Sequence, residues 1–233
     1  MYKRIKVIAI LFLLINIPLK TYSQSNQNDW PHIPGLTPEI ITKKGAFYTV
    51  MGAATLSYVL SEFVFKGDEN LNYYQVRGGM NNEHFWALRN VYHQNFGVEK
   101  RVSSWFAIAA EFNLQQWSDR TPNINSKNKF GLGAGIMTYY RWYALGKKRI
   151  SPYFEYGVGG FLGFEKFPYN GSSFTFNHST QLGIEYTFKN KNKLRLGYGH
   201  FHQSNNDLSK HNPGYNANGF SVAFSWFWKT SKW

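Results

Sequence analysis

The sequence predicts an all-β fold: an eight-stranded antiparallel transmembrane β-barrel, preceded by an N-terminal extension that is helical in part. Three observations predict it. From residue 71 onward apolar and polar residues alternate with period two in eight segments, each about ten residues or longer, as in strands with one lipid-facing side. Aromatic residues make up 19% of the chain and charged residues only 17%, a balance suited to an exterior bathed in hydrocarbon. The connections alternate between short basic ones and longer ones rich in Asn, Ser, Gly and Pro, as periplasmic turns and extracellular loops do.

The chain opens with a basic segment, Met1–Lys6, an apolar run from Val7 to Ile17, and small residues at Thr21 and Ser23 before Gln24. That layout predicts a secretory signal peptide over residues 1–23, its apolar core too short to span a bilayer. An uncleaved N-terminal anchor is the alternative. No cysteine occurs, which excludes a lipid-modified N-terminus, disulfides, thiolate metal sites and cysteine nucleophiles. Loss of residues 1–23 removes Lys3, Arg4, Lys6 and Lys20, lowering the formal net charge from +13 to +9. The remaining surplus favours anionic partners, and export makes phosphate-bearing lipid a better partner than nucleic acid.

Residues 24–70 read as an N-terminal extension. Asp29–Gly35 is irregular, and Ala46–Phe65 is mostly apolar. A spanning helix there would hold the chain in the inner membrane and contradict the barrel, so the expectation is a helix over 46–65 packed at the periplasmic end. The barrel domain is 71–233, its strands falling near 71–79, 84–97, 103–117, 129–144, 151–165, 174–188, 193–204 and 219–228. The alternation is clearest in Phe106–Gln115, Phe130–Trp142, Gln181–Phe188 and Phe220–Trp228.

Short turns are expected at Gly97–Val102, Leu145–Ile150 and Lys189–Asn192, and longer loops at Trp117–Asn128, Glu165–Ser173 and Asn205–Asn218. The first outer connection, Met80–Glu83, reads as short. Tyr139, Tyr140, Trp142, Tyr143, Trp226 and Trp228 are expected in aromatic girdles. The inward set holds Glu111, Arg141, Glu155, Glu185 and Arg195, whose opposite charges can pair and fill a narrow lumen. A soluble barrel with the two faces exchanged is the competing architecture.

The seventh strand carries the chemistry. Leu194, Leu196, Tyr198, His200, His202 and Ser204 share one face, because side chains alternate along a strand. A base and a hydroxyl therefore end an otherwise greasy face. With both termini periplasmic, that end lies at the extracellular rim. Serine needs a neighbouring base to become nucleophilic, and a neutral imidazole suffices once a third group fixes its tautomer. Backbone N–H groups at Asn205 and Asn206 would stabilise an oxyanion. The constellation suits transfer of an acyl group to water.

His202-Gln203-Ser204-Asn205, a loop, then Asn212-Pro213-Gly214-Tyr215-Asn216 and a final aromatic strand resemble the outer-membrane lipid A 3-O-deacylase family. The motif match covers about residues 195–228. The resemblance implies an eight-stranded outer-membrane barrel acting as a serine esterase on lipid A or lipopolysaccharide, without a cofactor. It implies Ser204 as nucleophile, His202 as general base and Asn205 in the oxyanion hole. Two departures stand out. The family continues Asn-Ala-Gly where this chain has Asn205-Asn206-Asp207, and its acidic triad member, fourteen residues after the histidine, corresponds to Asn216. An asparagine can orient imidazole but stabilises imidazolium less than a carboxylate does, and Asp207 is a possible substitute.

The rival function is a non-catalytic small barrel for adhesion or membrane structure, which accommodates the missing acid. His200 reads as an interfacial residue or headgroup contact, and His211 as a solvated loop residue. A metal site from His200, His202 and His211 lacks a carboxylate at ligand spacing. Gly157–Gly160 suggests close backbone approach and not a phosphate cradle. Lys127, Lys129, Lys166 and Lys210 fall in or beside outer loops, where they could meet lipid A phosphates or only water. The acyl position cleaved, calcium dependence and the oligomeric state are left open.

Overall fold

The computed structural model describes residues 44–64, 71–82, 89–119, 130–167, 171–205 and 214–228. The expected signal peptide over 1–23 and the irregular stretch around Asp29–Gly35 lie outside the described residues. Eight strands follow one another around a closed barrel: β1 (Leu71–Asn82), β2 (Arg89–Ser103), β3 (Phe106–Asp119), β4 (Phe130–Tyr143), β5 (Ile150–Phe167), β6 (Ser172–Thr187), β7 (Lys193–Ser204) and β8 (Tyr215–Trp228). Each pairs antiparallel with its neighbours, and β1 closes onto β8 with Asn72 opposite Trp228. Closure matters because a sheet edge in lipid would leave backbone groups unsatisfied. One end of the barrel holds the start of β1 and the finish of β8. We call this the terminal end, and the other the far end.

Alternation sorts the side chains. Ile136, Ile184, Leu196, Val222 and Phe220 point outward and are exposed, Phe220 by 68%. Polar partners face inward. Glu99, Glu111, Glu155 and Glu185 meet Arg77, Arg101, Arg141, Lys193 and Arg195 in one buried network. Arg141 joins Glu99 to Glu155, and Lys193 Nζ lies 3.0 Å from Glu99. Buried charges persist only when paired and hydrogen-bonded, and here pairing fills the interior, so the lumen is a packed core and not a pore. The Tyr139 ring lies 4.1 Å from the Arg77 guanidinium carbon and packs against Gly157, where a Cβ would sit 2.5 Å from that ring. Close approach at this glycine agrees with the reading of Gly157–Gly160.

Several boundaries move. The expected turn at Gly97–Val102 is strand: β2 continues to Ser103 and turns at Ser104–Trp105. Glu99 and Arg101 point into the lumen while Lys100 points outward to Glu62, so charges that read as a turn are alternating strand residues. The connection expected at Met80–Glu83 moves, because β1 runs through Asn82 and β2 begins at Arg89. At the last loop, β8 begins at Tyr215, which places Asn216 and Asn218 in the sheet. Tyr139 and Tyr143 leave the expected girdle for the lumen, where Tyr143 Oη donates to Glu185 at 2.7 Å. Tyr74 and Trp228 stack at the terminal end with centroids 4.9 Å apart, as an interfacial pair would.

The extension is helical as expected: α1 (Lys44–Val59) continues through one π-turn at Leu60–Val64. No described helix is long and apolar enough to cross a membrane. Instead α1 lies on the outer wall. Val50 and Ala54 cluster with Phe106, Trp142 and Tyr156, and Ala53, Tyr140 and Val158 border them. Trp142 Nε1 donates to Ser57 Oγ at 2.9 Å, Ser61 and Ser103 hydroxyls meet at 2.9 Å, and Lys100 reaches Glu62 at 3.2 Å. The helix therefore runs along the barrel's side rather than only beneath its terminal end. Tyr48, Leu56 and Phe63 face away from the barrel and are exposed. Apolar on both sides, α1 is built to sit between protein and hydrocarbon.

Candidate active site

On β7 the inward residues are fixed by what they touch. Arg195 bonds Glu99, Phe201 packs with Trp117 and Phe161, and Gln203 donates to Thr175 Oγ1 at 2.8 Å. His200, His202 and Ser204 must then point outward with Leu196, which is 54% exposed. They stand at the far end of β7.

Cross-strand register assembles the rest. His202 lies opposite Asn216 on β8 and opposite His178 on β6. Asn216 reaches this position because Tyr215 is buried in the lumen, its hydroxyl donating to the Asn81 carbonyl at 3.0 Å, so the next residue turns out. Just before it, Gly214 has φ +65°, a left-handed conformation that glycine enters without strain and that bends the chain into β8.

His202 Nδ1 and Asn216 Oδ1 are 2.7 Å apart. The amide oxygen can only accept, so Nδ1 carries the proton, and a neutral ring keeps its lone pair on Nε2. That is the tautomer a general base needs. Ser204 is partly exposed opposite Phe176, and Asn205 is buried beside it. Asn206 and Asp207, the second expected oxyanion donor and the possible substitute acid, lie outside the described residues, as do His211, Lys127, Lys129 and Lys210. Lys166 is exposed near the far end of β5.

One residue pair closer to the terminal end, His200 Nδ1 lies 3.2 Å from Asn218 Oδ1, repeating the His–Asn pairing. Its Nε2 finds no hydrogen-bond partner among the described residues. Among those residues no cluster of three or more His, Cys, Asp or Glu side chains could hold a metal ion.

Two side chains beside the site escaped sequence reasoning. His178 lies with its ring centroid 6.2 Å from that of His202, and Tyr156 Oη is 3.1 Å from His178 Nδ1. Alternation could have found His178, which interrupts the outward set Phe174, Phe176, Leu182 and Ile184. Gly214 was also legible as part of a Pro213-Gly214 turn signal.

Comparison with known proteins bears on this geometry. Residues 86–225 match the family model described as lipid A 3-O-deacylase (PagL). A solved structure, the crystal structure of the outer membrane enzyme PagL, is similar at 15% identity and a TM-score of 0.48, over 64% of this chain and 97% of that one. No curated protein matches. The family model spans more than half of the sequence, including every strand from β2 to β7 and the His202–Asn216 pair, and on that ground the chain belongs to the lipid A 3-O-deacylase family.

Proposed function

We propose that this chain is an outer-membrane serine esterase that hydrolyses an ester-linked acyl chain of lipid A in lipopolysaccharide. The observation that carries the reading is the 2.7 Å contact between His202 Nδ1 and Asn216 Oδ1 on the lipid-facing side, at the strand end where Ser204 stands. Family membership supplies the substrate class, and family and barrel together point to the outer membrane. Residues 1–23 would direct export. Both barrel ends of the chain would be periplasmic, which sets His202 and Ser204 at the extracellular rim in the leaflet that holds lipid A.

The acyl chains would lie along the apolar outer wall, with the ester at the rim. Ser204 Oγ attacks the ester carbonyl as its proton passes to His202 Nε2. About 7 Å separates residues two apart on a strand, within reach for side chains that lean together. N–H groups at Asn205 and Asn206 hold the oxyanion. The intermediate collapses, the imidazolium gives its proton to the departing sugar oxygen, and the acyl group stays on Ser204. Water, deprotonated by His202, then releases the fatty acid and restores the hydroxyl. Asn216 keeps the ring in the productive tautomer throughout. No step calls on a cofactor.

Purified chain in detergent, incubated with lipopolysaccharide and read by mass spectrometry of lipid A, tests the reading. The expected result is loss of one ester-linked acyl chain with the natural sequence and none with Ser204→Ala or His202→Ala, all three folded. Deacylation retained by the double variant would refute the assignment.

A further inference from the structure

Four consecutive strands place four polar side chains in a row across the outer wall: Tyr156 on β5, His178 on β6, His202 on β7 and Asn216 on β8. Asn216 and His178 flank His202 from opposite sides. His178 is held in turn, its Nδ1 lying 3.1 Å from Tyr156 Oη. Tyr156 faces the lipid side yet is only 1% exposed, because it shares one cluster with Val50 and Ala54 of α1. The ester cleavage described above uses neither His178 nor Tyr156.

Their presence calls for a reason. Polar groups on a wall that meets hydrocarbon are costly and are retained where they act. Leu182 and Phe176, on the same face of β6, show what mere cover would look like. A single hydrogen bond to Asn216 Oδ1 pins one atom of the His202 ring, a side chain only 9% exposed, but leaves it a path of rotation about its side-chain torsions. The β6 side closes that path: the His178 ring stands 6.2 Å away, tilted by 40°, with its own rotation checked by the Tyr156 hydroxyl. Such a brace matters more here, because the amide of Asn216 attracts imidazolium less than a carboxylate would.

We propose that His178, anchored by Tyr156 beneath α1, is a positioning residue that holds the His202 imidazole in line with Ser204. The proposal rests on the esterase reading and deepens it. The ring flanks His202 and exchanges no proton with it, so an aromatic ring of similar size should serve nearly as well. A small misplacement of a base costs up to about a hundredfold in rate.

The test compares the natural chain with His178→Ala, His178→Phe, Tyr156→Phe and Ser204→Ala. Heat-dependent gel mobility serves as the check that each barrel is closed. Two rates are measured: deacylation of lipopolysaccharide, and covalent labelling of Ser204 by a small fluorophosphonate, which needs the activated hydroxyl but no lipid. Expected for His178→Ala is a fall in kcat of about 30-fold, with KM within twofold and labelling slowed in proportion. His178→Phe restores most of both rates, and Tyr156→Phe loses only about threefold. Unchanged kcat and labelling in His178→Ala overturn the proposal. So does a raised KM with normal labelling, which would make His178 a substrate contact. A Phe variant as slow as the Ala variant also overturns it, by showing that the imidazole acts chemically. Labelling or deacylation that survives Ser204→Ala sinks the esterase reading itself.

Discussion

His202 donates its Nδ1 proton to Asn216 Oδ1 at 2.7 Å, from one strand to the next, and the acceptor is an uncharged amide and not a carboxylate. The amide fixes the same tautomer but brings no negative charge to the imidazolium that the proposed attack by Ser204 would form. Asn216→Asp is nearly the same shape and should raise kcat, by about tenfold, whereas Asn216→Leu should lower it by about a hundredfold or more. Steady-state deacylation by the two variants checks this. Equal rates in the Leu variant and the natural chain would remove Asn216 from the site.

Gly214 sets where Asn216 lands. An L side chain at its φ of +65° costs about 1–2 kcal/mol, and the chain can relieve that strain only by shifting the start of β8. Gly214→Ala should therefore lower kcat about fivefold with little loss of barrel stability. Gly214→Asn, more tolerant of the left-handed region, should fall between the two. Kinetics beside a urea titration of gel mobility separates the effects.

The lumen is predicted to govern stability without governing chemistry. Glu99 accepts from Arg141, Lys193 and Arg195 together, so Glu99→Gln leaves three cations sharing an uncharged amide. The cost should be about 3–5 kcal/mol, seen as an earlier urea midpoint. Below that midpoint, kcat should stay within twofold, because no lumen group touches the reacting atoms. A tenfold fall in kcat at full folding would mean that the core reaches the site.

The seat of α1 can be probed at Ala54, which is 2% exposed against the outer wall. Ala54→Asp buries a charge between helix and strands and should cost about 3 kcal/mol, releasing α1 from Trp142 and Tyr156. Protease cleavage within residues 44–64 should accelerate while the barrel stays closed. If cleavage is unchanged, the helix is not held by this contact.

Much of the fold was legible because period-two alternation is a strict consequence of strand geometry. Phe106–Gln115 and Phe220–Trp228 could be placed on their faces from residue types alone. The errors came where local chemistry imitates something else. Glu99-Lys100-Arg101 has the look of a charged turn, yet its outer two members are lumen residues whose partners sit on strands far away in sequence. Tyr139 and Tyr143 resemble girdle residues, although alternation about the inward Arg141 already sets them on the lumen face, where they meet Arg77 and Glu185. At the site, the outward direction of His202 and Ser204 followed from alternation. The pairing with His178 and the bracing hydroxyl of Tyr156 depend on register between strands, which no single strand encodes.

The position of α1 makes the molecule lopsided. It screens the outer surface from β2 to β5, whereas His202 and its neighbours lie on β6 to β8. Molecules drifting in the plane of the bilayer thus meet a fender on one flank and the bare apolar wall of Leu182, Ile184, Leu196 and Val222 on the other. On the esterase reading, productive encounters come from one compass sector, so the barrel's slow spin about its own axis becomes part of how often a glycolipid arrives correctly.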